Sequence, residues 1–364
     1  MSLVDIFQRM VRRSQSGLGQ LVSEIETFLR SAPLDLETLE IPYTLENLGI
    51  PDTLETFEIR ETLPSGGLRF GSAIGDIDVI IAVSRDLGSE QMLADAVRET
   101  ADFAIYKRDH GVDHCVGVIS DGMRWHCYHA VDDEVRLVSS IECDDSEDSL
   151  DRLLVWLKGF LPTTTPIRAQ ASNIARYLGA GSPSYELDRD KLRAIYERHR
   201  ENPTVVVKRT VWARMLTSAL GGQFTDDDSL FVEHTLLANT ASIMAQLILY
   251  HGIDSYLFAN HLHGKTEEAD LFNWVSDLEH CEEADHEFFY SLSEKLFSRF
   301  DWCDAEQDVL KVLLESMMGA ETRQALCDNH TPDWLARRVV DEVIRDPLNT
   351  RVLDPACGSG TFLF

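Results

Sequence analysis

Arg351-Val-Leu-Asp-Pro-Ala-Cys-Gly-Ser-Gly-Thr-Phe-Leu-Phe364 is the stretch that decides how this chain is read. Val352-Leu353 reads as a short apolar strand that ends at a carboxylate, Asp354. It then runs into a tight Gly358-Ser359-Gly360 turn that opens a helix. Glycine lets a ligand approach the main chain closely, and a helix N-terminus offers unpaired N–H groups. A strand-tip acid suits a hydroxyl or ammonium group; an N–H-rich turn suits a carboxylate or another anionic end. The same glycines would also serve a plain strand-to-helix corner. The three-glycine dinucleotide spacing is incomplete, which argues against a nicotinamide cofactor.

Upstream, Thr331 caps a helix with Pro332 at its first position, and Pro347 lies just past the helix end. Helix, loop, strand and glycine turn, in that order, begin a doubly wound α/β domain.

Two further regions precede this one. Residues 165–325 read as almost all helix, entered through the linker Leu161-Pro-Thr-Thr-Thr-Pro166. Trp212, Met215, Leu216, Ala219 and Leu220 form one apolar stripe that Gly221-Gly222 stops. Leu230–Tyr250 is apolar on nearly every face and reads as a buried central helix. Asp304 with Gln307 reads as a capping box ahead of an apolar face of Val309, Leu310, Leu313 and Met317.

Residues 1–160 read as α/β. A helical segment, Ile6–Leu29, leads to strands at Leu68–Ala73, Asp78–Val83, Cys115–Ser120 and Trp125–His129. Ser89–Lys107 has helical spacing between the second and third strands, and Asp121-Gly122 signals a hairpin between the last two. The acidic run from Glu142 to Asp148 reads as a solvated loop.

The 364 residues carry a net charge of −29, with 33 basic residues against 62 acidic ones. Such a surface repels phosphate. The acidity is an adaptation to high internal salt, which screens it, or any nucleic-acid-contacting surface lies in other sequence, or both. The seven cysteines contain no Cys-x-x-Cys pair, so reduced thiols in a cytoplasm are expected, without a disulfide framework or zinc. His261-Leu-His263 lacks a third ligand pattern, and His126 and His129 face opposite sides of a strand. No metal site and no membrane span are expected.

The string Asp354-Pro-Ala-Cys-Gly-Ser-Gly360 resembles motif I of the N6-adenine DNA methyltransferases of large restriction–modification or phage-defence type. That resemblance implies an S-adenosylmethionine site formed by Thr331, Asp354, Ala356, Cys357, Gly358 and Gly360. Asp354 would receive the amino-acid or ribose end, the glycines would shape the turn, and Thr331 would close from above. Cys357 would pack there and not act as a nucleophile. In that family an aromatic residue precedes the Thr-Pro pair; here His330 stands in its place. Leu310, Leu314, Arg323 and Phe231-Val-Glu-His234 extend the likeness over roughly residues 205–364.

Those enzymes hold a flipped-out adenine through an Asn/Asp-Pro-Pro-aromatic motif, which these residues lack. A lone parallel strand can neither cover both its faces nor pair its backbone. The 364-residue chain by itself is therefore expected to carry no catalytic residue and to bind the cofactor no more tightly than millimolar.

Val118-Ile-Ser-Asp-Gly-Met-Arg-Trp125 resembles the strand–turn–strand of nuclease-like domains of the PD-(D/E)XK type. Such domains present an Asp, then Glu-x-Lys, to magnesium. Asp76 and Asp78 are in place, but Ala82 and Ser84 stand where Glu and Lys belong, so an inactive site is expected.

The whole reads as a multidomain α/β plus mostly α chain. A degenerate nuclease-like domain spans 1–160, a helical domain 165–325, and the opening of a Rossmann-like methyltransferase domain 326–364. Double-stranded DNA and specificity or defence-system subunits would be its partners. The alternatives are a noncatalytic DNA- or protein-binding adaptor with a vestigial motif, or a methyltransferase acting on RNA or protein.

Overall fold

The fold is mixed α/β and mostly helical, in a computed structural model. It describes residues 2–14, 18–34, 37–38, 68–71, 77–84, 86–109, 114–131, 134–161, 163–221, 224–249, 271–278, 285, 288–303, 305, 309–317, 331, 333–346 and 349–354.

The first helical stretch folds back on itself. It forms α1 (Leu3–Arg12) and α2 (Leu18–Ser31), not one helix over Ile6–Leu29. Ser2 caps α1 in a capping box with Asp5, and Phe7 meets Phe28 at 5.8 Å. Glu24 accepts from Arg9 at 2.6 Å and from Arg13 at 2.5 Å, which ties the two helices together.

A six-stranded sheet follows in the order β1 (Glu37–Thr38), β2 (Leu68–Gly71), β3 (Ile77–Val83), β4 (His114–Ser120), β5 (Arg124–Val131) and β6 (Glu134–Glu142). In this sheet, among the described residues, β3 and β4 run parallel, because α3 (Glu90–Asp109) carries the chain across between them, while the other neighbouring strands are antiparallel. The Asp121-Gly122 hairpin forms as its sequence dictates, with Gly122 at φ 88°. Asp121 accepts backbone N–H bonds from Leu87 (3.0 Å), Met123 (3.0 Å) and Arg124 (2.7 Å), so its burial is compensated.

One face of this sheet carries Val83, Val116, Val118, Trp125 and Cys127 against α1, α2 and α4 (Glu147–Lys158). The other carries Ile119 and Tyr128 against α3. A Cβ on Gly117 would come within 2.1 Å of the Thr100 side chain, so α3 sits that close to β4 only because position 117 is glycine.

The acidic run is not one loop. Glu142 ends β6, Cys143 is buried, and Glu147 and Asp148 form the first turn of α4 behind the Ser146 cap. Negative charge at a helix N-terminus is favourable, which is why an acidic cluster starts a helix here.

The linker is anchored as well. Leu161 is fully buried, Thr163 bridges Leu34, and β7 (Ile167–Arg168) pairs in parallel with β8 (Phe300–Asp301). Beyond it lie α5 (Ala171–Leu178), α6 (Pro183–His199), α7 (Pro203–Leu220), α8 (Asp228–Leu249), α9 (Phe288–Arg299) and α10 (Val309–Met317). α8 is the central helix expected, burying Phe231, Leu236, Ile243 and Met244 among others. α10 buries Val309, Leu313 and Met317, while Asp304 and Gln307 lie outside the described residues.

The stripe on α7 does not hold. Trp212 is buried, but Met215 is 57% exposed alongside Val207 and Val211. Valine and alanine on several faces of α7 leave its apolar side ambiguous, and Trp212 settles it by packing at 5.3 Å from Phe231.

Candidate cofactor site

α11 (Asp333–Val343) forms just after Thr331, where a helix was expected. Thr331 and Asp354 are both half-buried. Pro332, Pro347, Ala356, Cys357, Gly358 and Gly360 lie outside the described residues.

Val352-Leu353 is not a strand. Residues 351–354 take no regular structure, and Leu353 is 87% exposed. Among the described residues no strand lies beside this segment, and an unpaired strand satisfies none of its backbone groups. Along α11, Trp334, Arg337, Arg338, Asp341 and Glu342 border an open groove. This face offers one aromatic plane, two guanidinium groups and two carboxylates, so it can stack on a ring and pair with either sign of charge.

The nuclease-like positions 78 and 82 lie on β3, and position 84 directly follows it. Asp78 stands opposite Cys115 and Ala82 opposite Ile119. Ser84 N donates to Ser120 O at 2.9 Å. Asp76 lies outside the described residues. Among the described residues no group of three or more His, Cys, Asp or Glu could hold a metal. His126 sits beside Tyr128 while His129 bonds Asp190 on the other face; His261 and His263 lie outside the described residues.

A polar cluster that sequence reasoning missed joins α6 to α9. Lys295 Nζ donates to Ser184 Oγ (3.1 Å) and to the Asp188 carboxylate. Arg299 Nη1 donates to Gly159 O (2.6 Å) and Ser184 Oγ (3.2 Å). Burial pulls Lys295 down to about 8 and Arg299 down to about 10, with the Asp188 charge opposing both shifts. A serine bonded to a lysine of lowered pKa has the makings of a nucleophile and base. Ser184 is only 1% exposed, however, so no substrate reaches it, and the cluster is a structural bolt. Its members lie 107 residues apart, too far for any short motif to reveal them.

β5 meets α6 through His129 Nδ1 and Asp190 Oδ2 at 2.9 Å, flanked by Arg136 and Arg193. Burial lowers the His129 pKa, and burial alone takes His234 down to about 4. Trp212 Nε1 donates to His234 Nδ1 at 3.1 Å, which fixes that ring as neutral. A histidine with a depressed folded pKa binds its proton first in the unfolded chain, so stability falls as pH drops through about 6.5 and on toward 4. For His234 that proton costs about 1.4 kcal/mol per pH unit across this window. The His129→Asn/His234→Gln variant is expected to lose less stability than the wild type between pH 7 and pH 4.5 in urea titrations. Equal acid slopes would exclude this origin.

No helix among the described residues is long and apolar enough to cross a membrane, and Cys127, Cys143 and Cys303 are free thiols. Compared with protein-family models, curated proteins and solved structures, the chain matches none.

Proposed function

We propose that this chain carries the S-adenosylmethionine-binding opening of a site-specific DNA adenine-N6 methyltransferase of restriction–modification or phage-defence type. The reading rests on Asp354-Pro-Ala-Cys-Gly-Ser-Gly360, with Thr331-Pro332 and α11 ahead of it in the order a doubly wound domain requires. The half-buried Asp354 and Thr331 are fitting partners for such a cofactor: a carboxylate accepts from ribose hydroxyls or an ammonium, and a threonine hydroxyl can bond either way. Bound there, the cofactor supplies the methyl group. Asp354 would hold its sugar or amino-acid end, Gly358 and Gly360 would let the backbone come close, and Thr331 would bound the methionine side.

The preceding units, a nuclease-like α/β domain and a helical domain, dock DNA or a specificity or defence subunit. With a net charge of −29, DNA engagement depends on local basic groups such as Arg337 and Arg338 on α11. A cytoplasmic setting follows from this function. The test is sequencing of N6-methyladenine in a host expressing the gene from its native locus. Methylation at one short sequence supports the proposal, and an unmethylated genome overturns it.

A second reading is a noncatalytic adaptor that binds DNA or protein, favoured by the irregular, exposed Val352-Leu353 where the first methyltransferase strand was expected. An unmethylated genome together with retained capture of DNA or of a defence subunit would select it.

Supercoiled plasmid incubated with the chain and magnesium or manganese is expected to stay uncut, because Ala82 and Ser84 offer neither a metal ligand nor a general base. Metal-dependent nicking lost on Asp78→Ala would reverse the inactive assignment.

A further inference from the structure

We propose that one buried water molecule is bound in the helical core, bridging the Thr240 hydroxyl on α8 to the Asp188 carboxylate on α6. A cavity of about 10 Å³ lies between apolar walls from Leu236, Leu292 and Met317, and Thr240 and Asp188 line it too. That is room for one water and for nothing larger; buried waters need about this space and two to four polar partners.

Thr240 is 2% exposed, and its Oγ1 has no hydrogen-bond partner in the protein. One and a half turns earlier on the same helix, Thr235 Oγ1 donates to Phe231 O at 2.9 Å, the usual way for a helical threonine to satisfy itself. Thr240 makes no such bond to Leu236 O, so its hydroxyl carries an uncompensated desolvation cost unless something in the cavity meets it. Asp188 supplies the other end. Lys295 occupies its Oδ2, and an ionised carboxylate accepts at both oxygens. A water here donates to Asp188 and exchanges a bond with Thr240. It thereby extends the ion pair between α6 and α9 to α8, so that three helices share one polar connection.

The sign of a single substitution separates a wet cavity from a dry one. Thr240→Val keeps the shape and deletes the hydroxyl. With the water present, the variant strips it of a partner, and Tm is expected to fall by roughly 2 °C. In a dry cavity the same change removes an unsatisfied buried hydroxyl, and Tm rises, which overturns the proposal. A high-resolution crystal structure supplies the direct readout. Ordered density within hydrogen-bond distance of both Thr240 Oγ1 and Asp188 supports the site. Absent density, or a hydroxyl turned onto Leu236 O, sinks it.

Discussion

Asp354→Ala, introduced into the gene at its native locus, is expected to lower N6-adenine methylation of the host genome about 10- to 100-fold with a much smaller effect on the melting curve of the purified chain. A carboxylate that accepts from a cofactor's hydroxyl or ammonium contributes about 1.5–3 kcal/mol, which converts to that range. The core should tolerate the change because Val352 and Leu353, just ahead of it, are 50% and 87% exposed and join no core cluster among the described residues. Asp354→Asn keeps the shape without the charge and should fall between the two. Methylation is read by sequencing host DNA, and the fold by circular dichroism of the purified variant. Full methylation with Asp354→Ala would remove the carboxylate from the cofactor site. Lost methylation with a lowered melting point would make Asp354 a structural residue.

What was legible in the sequence is what local physics determines. The Asp121-Gly122 turn needs a residue tolerant of positive φ, and Gly122 at 88° supplies it. The β3–α3–β4 crossover follows from two apolar runs around a segment of helical spacing, and α8 from sheer apolar length. What was not legible depends on distant partners. β6 escaped notice because Glu134–Glu142 mixes charge with short apolar residues and becomes a strand only by pairing with β5. Met215 looked like a core residue by spacing, but Trp212 had already decided which side of α7 faces inward. Val352-Leu353 has the composition of a strand and, among the described residues, no neighbour to make it one. The proposed cofactor residues Asp354 to Gly360 came from a motif contiguous in sequence, with Thr331 placed by the Thr-Pro pair ahead of it. The Lys295–Asp188–Arg299 cluster spans α6 and α9, and no window of either helix hints at it.

That cluster carries the largest stability effect. Asp188 is the carboxylate facing three cations, Lys191, Lys295 and Arg299, each of which burial pushes toward neutrality while Asp188 pulls it back. Removing one partner of a buried pair costs more than the pair contributes, because the remaining charge is left in a poorly solvated place. Asp188→Ala is therefore expected to destabilise the protein by about 3 kcal/mol at pH 7 in urea titrations. The pH dependence identifies the cause. Lys295 has a folded pKa near 8, below its ordinary 10.5, so between those values the unfolded chain binds more protons and this lysine's contribution to stability rises with pH. Without Asp188 its folded pKa falls further, and the rise begins earlier. The deficit of the variant should shrink from pH 7 to pH 9.5 as the stranded lysine sheds its proton. Comparing wild type and variant at each pH cancels the opposing contributions of the buried Tyr196 and Cys127, both pushed up to about 12. A deficit that stays constant across this range would mean that Asp188 acts through packing alone.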